Sequence, residues 1–414
     1  MLLKRTAEDH IEMALTDTRV VAIQGARQTG KTTLLNKFAS THNAKYVTLD
    51  DQAQREAAIH DPGSFVKQAP NKLLVIDEVQ RAPALVLAIK EVVDMNRQPG
   101  QFLLTGSSDL TRGSSIEDSL AGRIEIIDLM GLSMIERNNG KGLFAQAISM
   151  PKPLDTLTSS KYTMYRQDYL ALALEGGYPE AIARNDKARR DKWFDNYTKQ
   201  LLRKDVGEEN RLRRAHILPK LFKYLASVSG KPAISSNIAA DIGEPRTTVE
   251  EYINILEAVF LVDRIPAWSN SATTRATKHP KLMFRDSGLL CRQLAAKIDL
   301  PTDMTSSISG GVFETFVYSE LAKLTAVGSK DMTLYHYRDT QKKEVDFVFW
   351  HGDGALTLLE VKLSSAVTVS DFKNMEYLRE KCKNVRNCFV IYTGLHAIAF
   401  SDHQFAIPAQ AIWS

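Results

Sequence analysis

The sequence has few cysteines, no stretch long enough to cross a membrane and no strong net charge. Its three cysteines, Cys291, Cys382 and Cys388, are too few and too scattered for a disulfide framework or a zinc ribbon. The first residues turn acidic at once and contain no secretory apolar core. No apolar run approaches the length of a membrane-spanning helix. These absences predict a cytoplasmic protein with reduced thiols and no membrane partner.

The formal net charge is only +4 over 414 residues, of which 25% are charged and 44% hydrophobic. This is the balance of an ordinary globular protein, and the length is enough for two or three domains. A net charge so close to zero is compatible with a nucleic-acid partner but does not predict one, because any basic surface would have to be local.

Residues 1–135 alternate short apolar runs with amphipathic stretches, which predicts an α/β fold whose parallel sheet is covered on both faces. The predicted strands are Val20–Gln24, Tyr46–Leu49, Leu73–Ile76, Phe102–Thr105 and Ile124–Asp128. After a weakly patterned stretch around Pro151 and Pro153, the chain is helical to about residue 260 and then mixed α/β. The expected parts are a core at residues 1–140, a linker at 141–165, a helical region at 166–300 and a third domain at 301–414.

A glycine-rich loop directly follows the first predicted strand and opens a helix. It consists of Gly25, Ala26, Arg27, Gln28, Thr29, Gly30, Lys31 and Thr32, with Thr33 in the first helical turn. This context is that of a phosphate-binding loop, in which glycines let consecutive N–H groups point at the phosphates. Lys31 supplies a cation for the β- and γ-phosphates, and Thr32 supplies an oxygen for Mg²⁺. The loop therefore predicts a site for ATP and Mg²⁺.

Two acidic residues, Asp77 and Glu78, end the predicted strand Leu73–Ile76. Beside the first strand, Asp77 would hold Mg²⁺ through water. Glu78 would polarise the attacking water, which favours hydrolysis over mere binding. The alternative is an acidic strand end without a role.

Two further residues extend the predicted site. A hydroxyl after the strand Phe102–Thr105 would sense the γ-phosphate or orient the water; Ser107 is the first candidate and Thr105 the second. Hydroxyls at strand ends are also common caps. Arg123 immediately precedes the last predicted strand and would reach the nucleotide of its own chain or of a neighbouring subunit, unless it is a surface arginine without a role.

These motifs together resemble a widespread prokaryotic family of AAA-type P-loop ATPases that carry an uncharacterised C-terminal domain. The stretches that carry the resemblance are Gly25–Thr32, Leu49–Asp51, Ile76–Arg81, Leu104–Ser108, Ser119–Arg123 and Gly176–Pro179, with Trp193 and Tyr197. The resemblance covers nearly the whole chain. It implies an ATPase fold and ATP binding, but hardly any cellular role. Relatives of the AAA type often form rings, so the oligomeric state stays open.

The middle of the chain is similar to a winged helix, with two helices at Ser235–Gly243 and Thr247–Ala258 and two wing strands at 260–266 and 281–284. Residues placed to meet DNA are Arg246, Thr247, Thr248, Arg275, Lys278 and Lys281. Residues that oppose phosphate contact are Glu250, Glu251 and Glu257. DNA contact and a structural role both stay open.

The C-terminal part places Asp346 on one predicted strand and Glu360 with Lys362 on the next, across a glycine-containing turn. Strand side chains alternate, so Glu360 and Lys362 share a face, and Asp346 can lie opposite them. The spacing is similar to the PD-(D/E)xK nuclease core, and the upstream Glu314 would face the same site. Glu314, Asp346 and Glu360 would hold a second divalent cation, Mg²⁺ or Mn²⁺, while Lys362 orients a water or steadies phosphate charge. The alternative is an inactive fold that uses its acids for salt bridges.

The leading expectation is an ATPase whose cycle is coupled to a metal-dependent nuclease-like domain acting on or near DNA. The alternative is an ATP-dependent switch or scaffold that binds a protein partner, with an inactive nuclease-like fold. The formal net charge of +4 favours neither the nuclease-coupled ATPase nor the switch.

Overall fold

The computed structural model describes residues 3–107, 119–158, 161–203, 215–271, 278–294, 307–328 and 332–414, together with residues 273 and 275. The chain divides into two compact units. Unit 1 comprises residues 1–132 and 258–260, and unit 2 comprises residues 133–257 and 261–414. No helix in the described ranges is both long and apolar enough to cross a bilayer.

Unit 1 is built on a five-stranded parallel sheet with the order β2-β3-β4-β1-β5. Its strands are β1 (Val20–Gln24), β2 (Lys45–Thr48), β3 (Leu74–Asp77), β4 (Phe102–Gly106) and β5 (Ile124–Asp128). Strands β1, β3 and β4 are buried along their whole length, because helices cover both faces of the sheet. The α/β fold predicted from the apolar runs is confirmed.

The helices of unit 1 are α1 (Ala7–Asp17), α2 (Lys31–Thr41), α3 (Gln52–His60), α4 (Pro62–Val66) and α5 (Leu85–Met95). In α5, Leu85, Ile89 and Val93 recur at helical spacing and are fully buried, so one face of this helix packs into the core. The register pairs Ile23 with Thr105, which brings the carboxyl ends of β1 and β4 to one edge of the sheet. β3 runs beside β4 in the same direction, so its end lies at that edge too.

Unit 2 begins with short helices and continues into a three-stranded antiparallel sheet of order β6-β8-β7. Its first helices are α6 (Met134–Asn138), α7 (Phe144–Ala147), α8 (Leu154–Leu157), α9 (Arg166–Glu175), α10 (Pro179–Ile182) and α11 (Lys187–Gln200). There follow α12 (Leu218–Ser227), β6 (Lys231–Pro232), α13 (Ser235–Ile242), α14 (Arg246–Ala258), β7 (Val262–Ile265), β8 (Lys281–Phe284) and α15 (Ser287–Gln293).

The stretch 141–165, expected to be a linker, is instead part of the packed body of unit 2. Phe144 and Ile148 are fully buried, and the ring of Phe144 lies 6.3 Å from that of Phe389. The Asn387 side chain donates a 2.9 Å hydrogen bond to the Met150 carbonyl. The weak pattern misled the prediction because short helices bury only one or two side chains each, which leaves no periodic signal.

The C-terminal part of unit 2 is a six-stranded mixed sheet with the order β13-β14-β12-β11-β10-β9. Its elements are α16 (Ser307–Gly328), β9 (Met332–Arg338), β10 (Glu344–His351), β11 (Leu356–Lys362), α17 (Lys373–Lys381), β12 (Val385–Tyr392), β13 (Ile398–Ala399) and β14 (Gln404–Pro408). Met375 of α17 belongs to the core cluster that contains Val348 of β10. On the opposite face, Tyr318 of α16 stacks on Phe347 at 6.0 Å, so a helix covers each side of β10.

Candidate functional site

The glycine-rich loop of unit 1 spans the gap between the end of β1 and the start of α2. Gly25 and Gly30 have φ values of 153° and 99°, and Gln28 has a φ of 64°. The ammonium of Lys31 donates to the carbonyls of Gly25 at 2.8 Å and Ala26 at 2.9 Å. Burial lowers the pKa of Lys31 to about 8, against the attraction of Glu78 and Asp77. The loop thus holds a buried cation at the N-terminus of a helix, which is the arrangement that binds phosphate.

Asp77 lies beside Thr32, but the expectation that its strand lies beside the first strand was wrong, because β4 lies between β1 and β3. The Thr32 hydroxyl donates to Oδ2 of Asp77 at 2.9 Å. Thr105 donates to Oδ1, and the phenol of Tyr46 donates to Oδ2 at 3.0 Å. Oxygen atoms are the ligands that Mg²⁺ prefers, so this pair fits the metal that ATP brings. Sequence reasoning missed Tyr46, because its role rests on the pairing of β2 with β3.

Glu78 is held at the same edge in an unusual backbone conformation. Its φ is 60°, in the left-handed region that costs a non-glycine residue energy, and its N–H donates to Thr105 Oγ1 at 3.1 Å. Its carboxylate accepts from Ser107 Oγ at 3.1 Å and from the Gln80 amide. Ser107 therefore contacts Glu78, while its predicted role toward the γ-phosphate or the water stays a prediction. Gln80 is an additional contact that the sequence did not single out.

Arg5 is a second residue that the sequence reasoning missed. Its guanidinium donates to the carbonyls of Thr29 at 2.8 Å and Met130 at 2.7 Å, and only 8% of the residue is exposed. It thereby ties the phosphate loop to the segment that follows β5. Arg5 lies 24 positions before Thr29 in the sequence, and no motif around Arg5 predicts this contact.

We expect Arg5→Met to raise the KM for ATP more than it lowers kcat, because the loop loses an anchor but no group that contacts the reacting atoms. Two buried carbonyls would lose a charged donor, at a cost of about 1–3 kcal/mol each in the free energy of unfolding. Steady-state kinetics and thermal unfolding measure both effects. Lys4→Met is the matched control, since Lys4 is exposed and pairs only with Asp9 among the described contacts. Equal behaviour of the two variants would contradict the role of Arg5.

Arg123 lies at the opposite edge of the sheet from the phosphate loop. Its carbonyl accepts from Val20 N–H at the start of β1, whereas the loop follows the end of that strand. Its guanidinium forms an ion pair with Asp94, with Nε 2.5 Å from Oδ1. The structure therefore does not bring Arg123 to the nucleotide site of its own chain. Action in a neighbouring subunit stays a prediction.

The basic residues predicted to line a wing are engaged elsewhere within unit 2. Arg275 lies over the ring of Trp350 at 5.0 Å, and Lys278 lies 5.4 Å from the ring centre of Tyr337. These contacts place both cations against aromatic rings of β9 and β10, and contact of these cations with phosphate stays a prediction. Arg246 and Thr247 are exposed at the start of α14, where contact with DNA stays a prediction.

The acids of the C-terminal part come together as predicted from the hairpin. The register pairs Phe347 with Leu359, which places Asp346 next to Glu360. Oδ2 of Asp346 accepts from Val361 N–H at 2.9 Å, and Lys362 donates to Oε1 of Glu360 at 2.8 Å. Oε2 of Glu360 is buried without a described hydrogen bond. Burial, and then the charge of Asp346, raise the pKa of the Glu360 carboxyl above its usual range.

Lys281 of β8, which the sequence analysis assigned to a wing, also belongs to this cluster. The Lys281 ammonium lies 2.6 Å from Oε1 of Glu314, 3.2 Å from Oδ1 of Asp346 and 3.5 Å from Oε1 of Glu344. Only 1% of the lysine side chain is exposed. Burial alone would lower the pKa of Lys281, but the carboxylates of Glu314, Asp346 and Glu344 raise it well above its usual range. Lys281 is therefore a permanent cation at this position.

Within the ranges that the structure describes, no group of three or more acidic, histidine or cysteine side chains has a geometry that could hold a metal ion. Glu314 and Asp346 each form an ion pair with Lys281, and Glu360 forms one with Lys362.

Three family models match separate parts of the chain. Residues 17–138 match an AAA domain, residues 166–300 a Domain of unknown function (DUF8612), and residues 309–412 a Domain of unknown function (DUF4143). Two curated relatives are Uncharacterized protein Rv2008c of Mycobacterium tuberculosis (strain ATCC 25618 / H37Rv) and Uncharacterized protein Mb2031c of Mycobacterium bovis (strain ATCC BAA-935 / AF2122/97). Each is 26% identical over 413 residues, which cover 100% of this chain and 85% of the relative.

Among solved structures, the chain is similar to the Walker-type ATPase PABY2304 of Pyrococcus abyssi, at 12% identity and a TM-score of 0.44, over 70% of this chain and 96% of that one. It is also similar to the Thermotoga maritima RuvB Holliday junction branch migration motor, at 19% identity and a TM-score of 0.29, over 67% and 96%. The part of the chain that matches the AAA domain contains the parallel sheet and the glycine-rich loop of unit 1, an arrangement that resembles P-loop NTPases. The match and this arrangement support ATP binding and hydrolysis.

Proposed function

We propose that this chain is an ATPase that holds Mg²⁺ with Thr32 and Asp77 and activates water with Glu78. The observation that carries the proposal is the direct contact of Thr32 with Asp77, at 2.9 Å, beside the buried ammonium of Lys31. A chance acidic strand end would not be hydrogen-bonded by three hydroxyls from three different elements, namely those of Thr32, Tyr46 and Thr105.

Each residue of the site has a task that follows from its position. Lys31 exchanges the carbonyls of Gly25 and Ala26 for the β- and γ-phosphates, which are stronger acceptors because they are charged. Bound Mg²⁺ neutralises charge that develops on the phosphates. Glu78 accepts the proton of the attacking water or orients that water, and Ser107 fixes the direction of its carboxylate. Thr105 and Tyr46 keep Asp77 in place.

The purified chain should therefore release phosphate from ATP in the presence of Mg²⁺ and stop when the metal is chelated. We expect Lys31→Ala to weaken ATP binding, because the loop loses the cation that faces the phosphates. Equilibrium binding of a fluorescent ATP analogue and phosphate release measure the two steps separately. Hydrolysis that is equal in wild type and Lys31→Ala would refute the proposal.

A second function, an ATP-dependent switch or scaffold for a protein partner, is favoured by the state of the C-terminal acids. A metal-dependent nuclease coupled to the ATPase would need Asp346 and Glu360 free to hold a cation, and both are paired with lysines. A switch has no such requirement. Nucleotide-dependent capture of one protein by wild type, lost in Lys31→Ala, would support the switch. Divalent-metal-dependent cutting of DNA, lost in Glu360→Gln, would favour the nuclease.

A further inference from the structure

The C-terminal carboxylates surround an amino group of the chain itself. We propose that the Lys281 ammonium takes the place of a divalent cation, so that Glu314, Asp346 and Glu344 form an internal ion-pair site that binds no metal in the folded chain. The inference concerns unit 2 and is independent of ATP hydrolysis in unit 1. Either can fail without the other.

The geometry around Lys281 matches the needs of an ammonium rather than those of a metal ion. Three carboxylates lie within ion-pair distance of the ammonium, at 2.6, 3.2 and 3.5 Å, and among the described contacts the one with Asp346 is a hydrogen bond. A divalent cation would need free carboxylate oxygens at about 2.0–2.6 Å. Oδ1 of Asp346 faces Lys281, and Oδ2 already accepts from Val361 N–H. Both oxygens of Asp346 therefore already accept from a donor within the chain, and a metal ion would have to compete with Lys281 for Oδ1.

The strand pairing of Lys281 and a ring contact of its ammonium also fix its position. It opens β8, the central strand of its sheet, and is paired with Ile265 on one side and Pro232 on the other. Its ammonium lies 5.3 Å from the ring centre of Phe347, which covers it on the side of β10. A buried ammonium that left its carboxylates would have no acceptor of equal strength, so a metal ion cannot displace it cheaply.

The cluster joins two regions that match different family models. Lys281 belongs to residues 166–300, whereas Glu314 and Asp346 belong to residues 309–412. The third region therefore has its acids neutralised only when the middle region is present in the same chain. This explains why the acids alone resemble a metal site in the sequence and do not form one in the fold.

The test is a Mn²⁺ titration of the full chain without nucleotide. The electron paramagnetic resonance signal measures the concentration of free Mn²⁺ during the titration. We expect wild type, Asp346→Asn and Glu360→Gln to bind the same number of Mn²⁺ ions. We expect Lys281→Gln to bind one more ion than wild type, and Mn²⁺ to raise its Tm, because ligand binding stabilises the folded state. Mn²⁺ should raise the Tm of wild type by less than it raises that of Lys281→Gln.

The matched control is Lys362→Gln, which removes a lysine from the same sheet that pairs with Glu360 instead. It should gain no Mn²⁺ ion, because Lys281 is still in place. A Mn²⁺ ion that wild type binds and Asp346→Asn does not would overturn the proposal, as would a folded Lys281→Gln that gains no ion. If Lys281→Gln does not fold, the comparison of wild type with Asp346→Asn and Glu360→Gln decides alone.

Discussion

Glu78→Gln should lower the kcat for ATP hydrolysis by about 10²–10⁴-fold, the range that a positioned general base contributes. ATP affinity should change little, because Gln keeps the size of the side chain and Glu78 is not among the residues placed at the phosphates. Ser107 and Gln80 donate hydrogen bonds to the Glu78 carboxylate, which fixes its direction. Phosphate release and ATP-analogue binding, measured on the same preparation, separate the two effects.

Glu56→Gln is the matched control for this experiment. Glu56 lies on α3 of the same unit, is exposed, and accepts only from Gln52 among the described hydrogen bonds. It should hydrolyse ATP at the wild-type rate. Loss of binding in Glu78→Gln would mean that Glu78 is needed to assemble the site. An unchanged kcat would show that another group activates the water.

Short-range patterns predicted the strands and the loop of unit 1 well, because the residues of each are consecutive in sequence. The strands Val20–Gln24 and Ile124–Asp128 have the predicted bounds, and Asp77 with Glu78 lies at the carboxyl end of β3. In a parallel sheet, the direction of each strand fixes where its carboxyl end lies, so a motif at a strand end can be placed without knowledge of the rest of the fold.

The C-terminal site could be predicted only in part, because its chemistry depends on contacts between distant residues. The pairing of Asp346 with Glu360 follows from a hairpin, and it is present. The contact of Lys281 with Asp346 joins residues 65 positions apart through two different sheets, and no local pattern encodes it. The same holds for Arg5 and Met130, 125 positions apart. In both contacts the residue that the sequence analysis missed is a cation. Lys281 was assigned to a wing, and Arg5 was not considered.

Gly25→Ala should abolish detectable ATP binding and lower the stability of unit 1. A Cβ at this position would lie 2.2 Å from the carbonyl oxygen of Leu129, a distance at which atoms must move apart. Leu129 cannot retreat easily, because its N–H donates to the Gln24 carbonyl at 2.7 Å. The backbone at 25, whose φ of 153° also disfavours a side chain, must shift instead.

That shift would move the start of the phosphate loop, where the Gly25 carbonyl meets Lys31 and the following N–H groups face the phosphates. Overpacking of this kind costs about 1–3 kcal/mol in the free energy of unfolding. Denaturant unfolding and ATP-analogue binding measure the two losses. Gly63→Ala is the control, because Gly63 lies in α4 and the nearest atom to its added Cβ, Oδ1 of Asp61, is 3.5 Å away. If Gly25→Ala bound ATP as tightly as Gly63→Ala, close approach of Leu129 would not be what shapes the loop.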